Sequence, residues 1–249
     1  MCIRDRVCGS AEYPIIKHLP NVEFILFDKT HTLQSWLAVR KQLVSRRFDA
    51  LLLMQYSLLA NVLSALIQAP HRIGFRYPRS HELHHFFINY QVGHERQHIV
   101  DTLLDFIAVL GAEKHILKPV RCYTDTELES VKQYIIGDRK ILLISPCASE
   151  EVKQWSDERY AAVADYAIKT YGMQVILSGD NTQNTQYHCK QIKKYMTATA
   201  IDLAGKTNLS QFCALISCAD LVLSPDSAAV HVASAVGTPA IGLLSLIHI

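Results

Sequence analysis

Short apolar runs recur along the chain, each followed by a stretch whose apolar residues fall at helical spacing. Residues 21–27 (NVEFILF) read as a strand and residues 33–44 as a helix. Residues 50–69 carry no charge, nearly the length of a membrane span. However, Gln55, Ser57, Asn61, Ser64 and Gln68 interrupt that run, and Leu51-Leu52-Leu53-Met54 suits a buried parallel strand feeding a helix. Residues 70–75 predict another extended piece. Residues 76–98 are rich in Arg, His and aromatics, residues 99–110 predict an apolar-faced helix, and residues 124–136 a polar one.

A second set of alternating elements begins at residue 140. Strands are expected at 140–144, 174–177 and 201–203, with helices at 157–169, 184–195 and 209–218. The stretch from Asp220 to Leu243 then reads as strand (221–223), helix (228–236) and strand (240–243), with Gly237-Thr238-Pro239 ending the helix and re-aiming the chain. Repeated strand–loop–helix units predict an α/β fold of doubly wound parallel sheets. The break between residues 115 and 139 divides it into two Rossmann-like domains, 7–121 and 122–243. The ends, 1–6 and 244–249, resemble translated sequencing adaptors and are set aside from fold reasoning. On that reading the native chain begins earlier and ends later.

Composition narrows the classes. The 249 residues are 49% hydrophobic and 19% charged, ordinary for a soluble globular protein, and a formal charge of +2 gives no footprint for nucleic acid. Seven cysteines with no CxxC pair and no secretory leader point to a reducing, cytoplasmic compartment.

Several motifs fail on context. His81-Glu82-Leu83-His84-His85 matches the zinc-peptidase spacing, but Pro78 and Ser80 precede it instead of a helical turn. Gly205-Lys206-Thr207 mimics the end of a P-loop, yet Ala200 stands where the first glycine belongs. Neither a dinucleotide fingerprint, a nucleophile elbow nor a metal-spaced cysteine set occurs. What remains is a set of loops at expected strand C-termini: 149–153, 179–183, 205–207 and 226–231. In a parallel sheet these converge on one edge and offer a cation, hydroxyls, amides and a helix N-terminus, which suits a nucleotide diphosphate. Asp226 or Ser227 also serves as an ordinary helix cap, and His231 as a core-facing histidine, so the loops alone leave both readings open.

The second half resembles the donor-binding domain of glycosyltransferase family 9, the ADP-heptose:lipopolysaccharide heptosyltransferases. Three motifs carry the likeness: Pro146-Cys147-Ala148-Ser149 with Lys153-Gln154-Trp155; Leu203-Ala204-Gly205-Lys206-Thr207 with Leu215 and Ala219-Asp220; and Asp226-Ser227-Ala228-Ala229-Val230-His231. Phe48-Asp49, Arg72-Ile73-Gly74-Phe75 and His98-Ile99-Val100-Asp101 agree more weakly in the first half.

The resemblance implies a GT-B architecture and a metal-independent, inverting transfer of heptose from ADP-heptose to the lipopolysaccharide inner core, a Kdo–lipid A or its heptosylated form. By matched position, Lys153 neutralises diphosphate and Ser149 bonds phosphate. Asp226, Ser227 and Ala228 at the helix start hold phosphate or sugar, with His231 in support. Lys206 and Thr207 lie near adenine, and Gln183 stands where the family places a ribose-binding Glu. Cys147 and Ala228 replace family glycines. The family's general base, an Asp in a Gly-Asp loop, matches no residue here, so this chain is expected to be inactive alone. Arg72, Arg76 and Arg79 are weaker candidates for the acceptor side, where the basic-aromatic stretch either meets an anionic glycolipid at the inner membrane face or is merely a solvated surface. Two alternatives stay open: a GT-B enzyme using a UDP or GDP sugar, and a degenerate nucleotide-binding protein.

Overall fold

Capping residues and glycines set most element boundaries in the computed structural model, which describes residues 4–77, 79, 82–94, 96–113, 119–148, 150 and 153–244. The chain divides into two compact units, residues 1–13 with 21–117, and residues 14–20 with 118–249.

The first unit contains strands β1 (Arg4–Gly9) and β2 (Val22–Phe27), with the short helix α1 (Tyr13–Ile16) between them at the division. Helix α2 (Thr32–Leu43), strand β3 (Ala50–Leu53), helix α3 (Leu58–Ser64) and strand β4 (His71–Phe75) follow, then a 3-10 turn at His84–Phe87, strand β5 (Tyr90–Val92) and helix α4 (Ile99–Ala108). The described strands form two parallel sheets, β1-β2 and β3-β4-β5. Arg4 to Arg6, set aside on sequence grounds, pair with Val22 to Phe24 as the start of β1. The two acids of this pairing, Asp5 and Glu23, accept from Arg46 (2.6 and 2.5 Å). The uncharged run 50–69 is broken into β3 and α3, and no described helix is long and apolar enough to cross a membrane.

The segment with peptidase spacing is not a helix. Glu82 (φ 51°) and Leu83 (φ 63°) are left-handed, which ends any continuous helical face between the histidines. His81, Pro78 and Ser80 lie outside the described residues. His84 is instead buried, its Nε2 accepting the Phe75 N–H (3.1 Å) and its Nδ1 paired with Asn61 Oδ1 (2.8 Å).

The second unit runs α5 (Asp125–Lys132), β6 (Ile141–Ile144), α6 (Asp157–Tyr171), β7 (Gln174–Leu177), α7 (Gln183–Tyr195), β8 (Ile201–Asp202), α8 (Leu209–Cys218), β9 (Leu221–Pro225), α9 (Ala228–Val236) and β10 (Ala240–Leu243). Capping boxes at Thr124–Glu127 and Asn208–Gln211 start α5 and α8, while left-handed Gly172 and Gly237 end α6 and α9. Helix α5 stops four residues before the sequence pattern does. The buried Gln174 amide ties off the turn that follows, donating to Tyr134 C=O (2.5 Å) and accepting from Ile136 N–H (2.8 Å).

All five strands are parallel in the order β10-β9-β6-β7-β8. Alternation along β6 sends Leu142 and Ile144 to one face, packed with Tyr160 and Ala164 of α6 and Ile192 of α7. Ile141 and Leu143 go to the other, with Val131 of α5, Leu215 of α8 and Ala233 of α9. Both faces are covered, as the continuous apolar strands require.

Candidate functional site

The chain leaves β6 toward β7 and leaves β9 toward β10, so the adjacent C-terminal ends of β6 and β9 flank the topological switch point of the sheet. Open parallel sheets bind ligands in that crevice. A hydrogen-bonded relay ties its two sides together. Ala229 N–H donates to Ser227 Oγ (3.2 Å), the Ser227 and Ser224 hydroxyls are 2.7 Å apart, and Ser224 donates to Ser145 C=O (2.8 Å). Because that last bond uses Ser224's only hydroxyl proton, Ser227 is the donor between the two serines. Ser227 therefore caps α9 and also fixes its start against the end of β6.

Lys153 reaches this crevice from the loop after β6. Its Nζ lies 3.1 Å from Glu150 Oε1 and 3.2 Å from Asp226 Oδ2. Glu150 first, then Asp226, raises the Lys153 pKa above its ordinary value and keeps the ammonium charged. The Lys153 side chain is 14% exposed, whereas Glu150 is 61% exposed. A contact with so wet a carboxylate is weak, so the cation is held but exchangeable for a stronger anion. Gln154 braces the loop, donating to Pro146 C=O (2.8 Å) and accepting from Ala148 N–H (3.2 Å). Trp155 anchors it edge-on against buried Tyr160 at 4.9 Å.

Cys147 and Ala228 have no positive φ, so neither position needs glycine for its backbone conformation. Burial pushes the Cys147 thiol pKa up, which keeps it protonated. Ser149 lies outside the described residues.

A second locus adjoins the ends of β7 and β8. An open groove of about 320 Å³ is lined by Gln186, Lys190, Asp202, Ala204, Gly205 and Lys206. Gly205 has φ +70°, and a Cβ there would fall 2.5 Å from Asn181 Oδ1, so the backbone passes close to the neighbouring loop. Lys206 Nζ donates to Asp202 C=O (2.7 Å). Burial of Asp180 opposes its ionisation, but bonds from the Thr185 and Thr182 hydroxyls and Thr182 N–H outweigh it and hold its pKa below the ordinary value. That carboxylate braces the start of α7.

The expected residues thus fall into groups. Lys153, Asp226 and Ser227 meet at the switch point, with Ala228 exposed as the first residue of α9. Lys206 lines the groove. Gln183 is exposed at the first position of α7 and does not line it; Gln186, one turn on, does. The Thr207 hydroxyl is buried without a partner among the described residues. His231, read as a possible core histidine, is exposed and has no hydrogen bond among the described residues. Sequence reasoning misses Glu150, Gln186, Lys190 and Asp202. The one signal the chain offers for any of them is the spacing of Glu150, three residues before Lys153.

In the first unit two of the three acceptor-side arginines are committed to structure. Arg72 donates to the carbonyls of Phe87 (2.7 Å), Ile67 (2.9 Å) and Ser64 (2.8 Å) and to Ser64 Oγ (2.9 Å). Ser64 ends α3, and its carbonyl also accepts the Ile67 N–H (3.1 Å), so Arg72 ties the last turn of the helix to the segment after it. Arg79 bonds Thr102 Oγ1 (2.7 Å) and Gln97 C=O. Arg76 is exposed, with no side-chain partner among the described residues. Arg72 and Arg79 are thus engaged within the fold, and Arg76 is the one of the three whose side chain is open.

A model of glycosyltransferase family 9 (heptosyltransferase) matches residues 36–245. The lipopolysaccharide core heptosyltransferase OpsX of Haemophilus influenzae is 37% identical over 95% of this chain and 68% of its own length. The crystal structure of a family 9 glycosyltransferase from Veillonella parvula superposes with a TM-score of 0.82 at 18% identity, covering 96% of this chain and 70% of that one. An E. coli ADP-heptose LPS heptosyltransferase II structure does so at 0.72 and 20%, covering 96% and 74%. These likenesses assign the GT-B fold.

Proposed function

The chain belongs to glycosyltransferase family 9, and from that premise we propose that it serves the transfer of a heptose from ADP-heptose to the inner core of lipopolysaccharide. The observation that carries the reading is the Lys153–Asp226 pair across the switch-point crevice, beside the capped start of α9. An acceptor hydroxyl attacks the anomeric carbon of the heptose, and the bond to the β-phosphate oxygen of ADP breaks with inversion. Negative charge grows on the departing diphosphate. Lys153 turns from Glu150 and Asp226 to meet it, with the α9 N-terminus adding its dipole. In this reading the cation takes the role a divalent metal plays elsewhere, and no cofactor takes part. The nucleoside lies toward the Gly205–Lys206 groove, where Gln186 takes the place intended for Gln183.

The proton of the acceptor hydroxyl passes to a base that no residue of this chain is assigned. The first unit contains no Gly-Asp pair. We therefore expect this chain to bind ADP without completing transfer. The acceptor is a Kdo–lipid A or heptosylated core at the cytoplasmic side of the inner membrane, with the protein peripheral to it.

Calorimetric titration with ADP, UDP and GDP tests the donor side. ADP is expected to bind tightest and to do so in EDTA; preference for UDP or GDP would transfer the reading to another sugar nucleotide. Transfer is tested in a chain carrying a Gly-Asp βα unit ahead of β1, by ADP release and by the mass of the glycolipid product. Absence of both in that chain would favour a nucleotide-binding protein without chemistry.

A further inference from the structure

Helix α2 buries one apolar face and exposes another. Val39 and Leu43 are buried in the core of the first unit and Trp36 packs against it. Leu33 is nevertheless 73% exposed, and Leu37 and Val44 are 52% exposed. Positions 33, 37, 40, 41 and 44 recur at three- and four-residue spacing, which puts Leu33, Leu37 and Val44 in one outward stripe with Arg40 and Lys41 on either side. Isolated exposed leucines are ordinary, but an aligned apolar stripe rimmed by charge marks an interaction surface.

The charge is of one sign. Between Lys29 and Arg47 there are five Lys or Arg residues and no Asp or Glu, counting both ends. Arg46 is spent on Asp5 and Glu23. Lys29, Arg40, Lys41 and Arg47 have no ion pair among the described residues, and Arg40 instead stacks over Trp36 at 5.8 Å. Arg40 and Lys41 flank the stripe, while the nearest acid, Asp28, is paired with His31 before the helix begins, so the outward face of α2 is complementary to an anionic surface, and its apolar stripe suits one that also has a hydrocarbon interior.

We infer that the outward face of α2 docks on an anionic lipid bilayer, Leu33, Leu37 and Val44 entering the headgroup boundary while Arg40 and Lys41 meet lipid phosphates. This is the geometry of an interfacial amphipathic helix. It rests on the proposed glycolipid acceptor only for the choice of a bilayer over other anionic surfaces. It also places the membrane-facing role on α2, whereas in the 72–96 stretch Arg72 and Arg79 are engaged within the fold.

The test is co-sedimentation of the full chain with phosphatidylglycerol-rich vesicles and with pure phosphatidylcholine vesicles, at low and high salt. Salt-sensitive binding to the anionic vesicles alone is expected. The Arg40→Gln/Lys41→Gln variant should weaken it by more than tenfold, since each charge near an anionic surface contributes roughly fivefold. The Leu33→Ser/Leu37→Ser variant should lose the part that survives high salt. Circular dichroism and ADP affinity, both expected unchanged, show that the variants fold and that the donor site is unaffected, so failure here is separable from failure of the transferase reading. Wild-type binding by both variants would overturn the inference. So would a wild-type dimer in light scattering that either variant turns into monomer, because the face would then be occupied by a second copy.

Discussion

Two motifs of similar composition, one in each unit, have opposite fates. Around Arg72-Ile73-Gly74-Phe75 the polar side chains are consumed within the fold. Arg72 closes the end of α3, His84 bridges Phe75 and Asn61, and Gly74 makes room for the ring, since a Cβ there would lie 2.4 Å from His84 Nε2. Around Lys153 and Asp226 the ammonium is shared between Asp226 and the solvent-exposed Glu150, at the mouth of a parallel sheet. A saturated polar network makes a scaffold, and an exchangeable one makes a binding site. The presence of Arg, Lys, Gly or His in a family motif does not distinguish the two; the partners do.

The largest effect should come from breaking the saturated side. Arg72→Ala removes the four hydrogen bonds its guanidinium donates and should cost about 4 kcal/mol of stability, at about 1 kcal/mol for each. Thermal denaturation reads this as a clear fall in Tm, while nucleotide affinity at low temperature stays near wild type. A weakened ADP affinity with unchanged Tm would reverse the assignment of that motif.

Acid should act on the same network. Burial first, then the neighbouring His85, holds the His84 pKa below its ordinary 6.5, so the unfolded chain binds a proton the native chain resists. The stability contributed is present above that value and is lost as the pH falls through the depressed native value. Tm is expected to decline from about pH 6.5 downward, as protonation of Nε2 breaks its bond from Phe75 N–H. A Tm independent of pH between about 7 and 5 would contradict this. The smallest effect sharpens the open side. Glu150→Gln removes one competitor for Lys153 and should tighten ADP by roughly twofold, the scale of an exposed ion pair; weaker binding in calorimetry would make Glu150 a ligand-orienting group instead.

Much of the fold is legible in the sequence because its signals are local. The boundaries of α8 and α9, and of β7 and β10, coincide with the apolar runs and with Asn208, Ser227 and Gly237. Strand β5 is hidden because it has only three residues in a stretch of Arg, His and aromatics, and β1 because its first half, Arg4 to Arg6, falls in the adaptor-like end set aside from fold reasoning. The left-handed pair Glu82-Leu83 has no glycine or asparagine to announce it. In the candidate site, Lys153, Asp226 and Ser227 can be read because each follows an expected strand or starts an expected helix. The commitment of Arg72 cannot, since the carbonyls it serves belong to α3, to the turn after it and to Phe87. Nor can the groove position of Gln186, which depends on how α7 sets against the loop after β8.

The most direct test of the central claim is calorimetric titration of ADP into the wild-type chain and into Lys153→Met. Removing a charge-assisted hydrogen bond to the diphosphate is expected to weaken binding by about 1.5–3 kcal/mol, more than tenfold, with Tm in the absence of nucleotide unchanged. Equal affinity in the two proteins would contradict the claim that the switch-point crevice, through Lys153, is where the donor diphosphate binds.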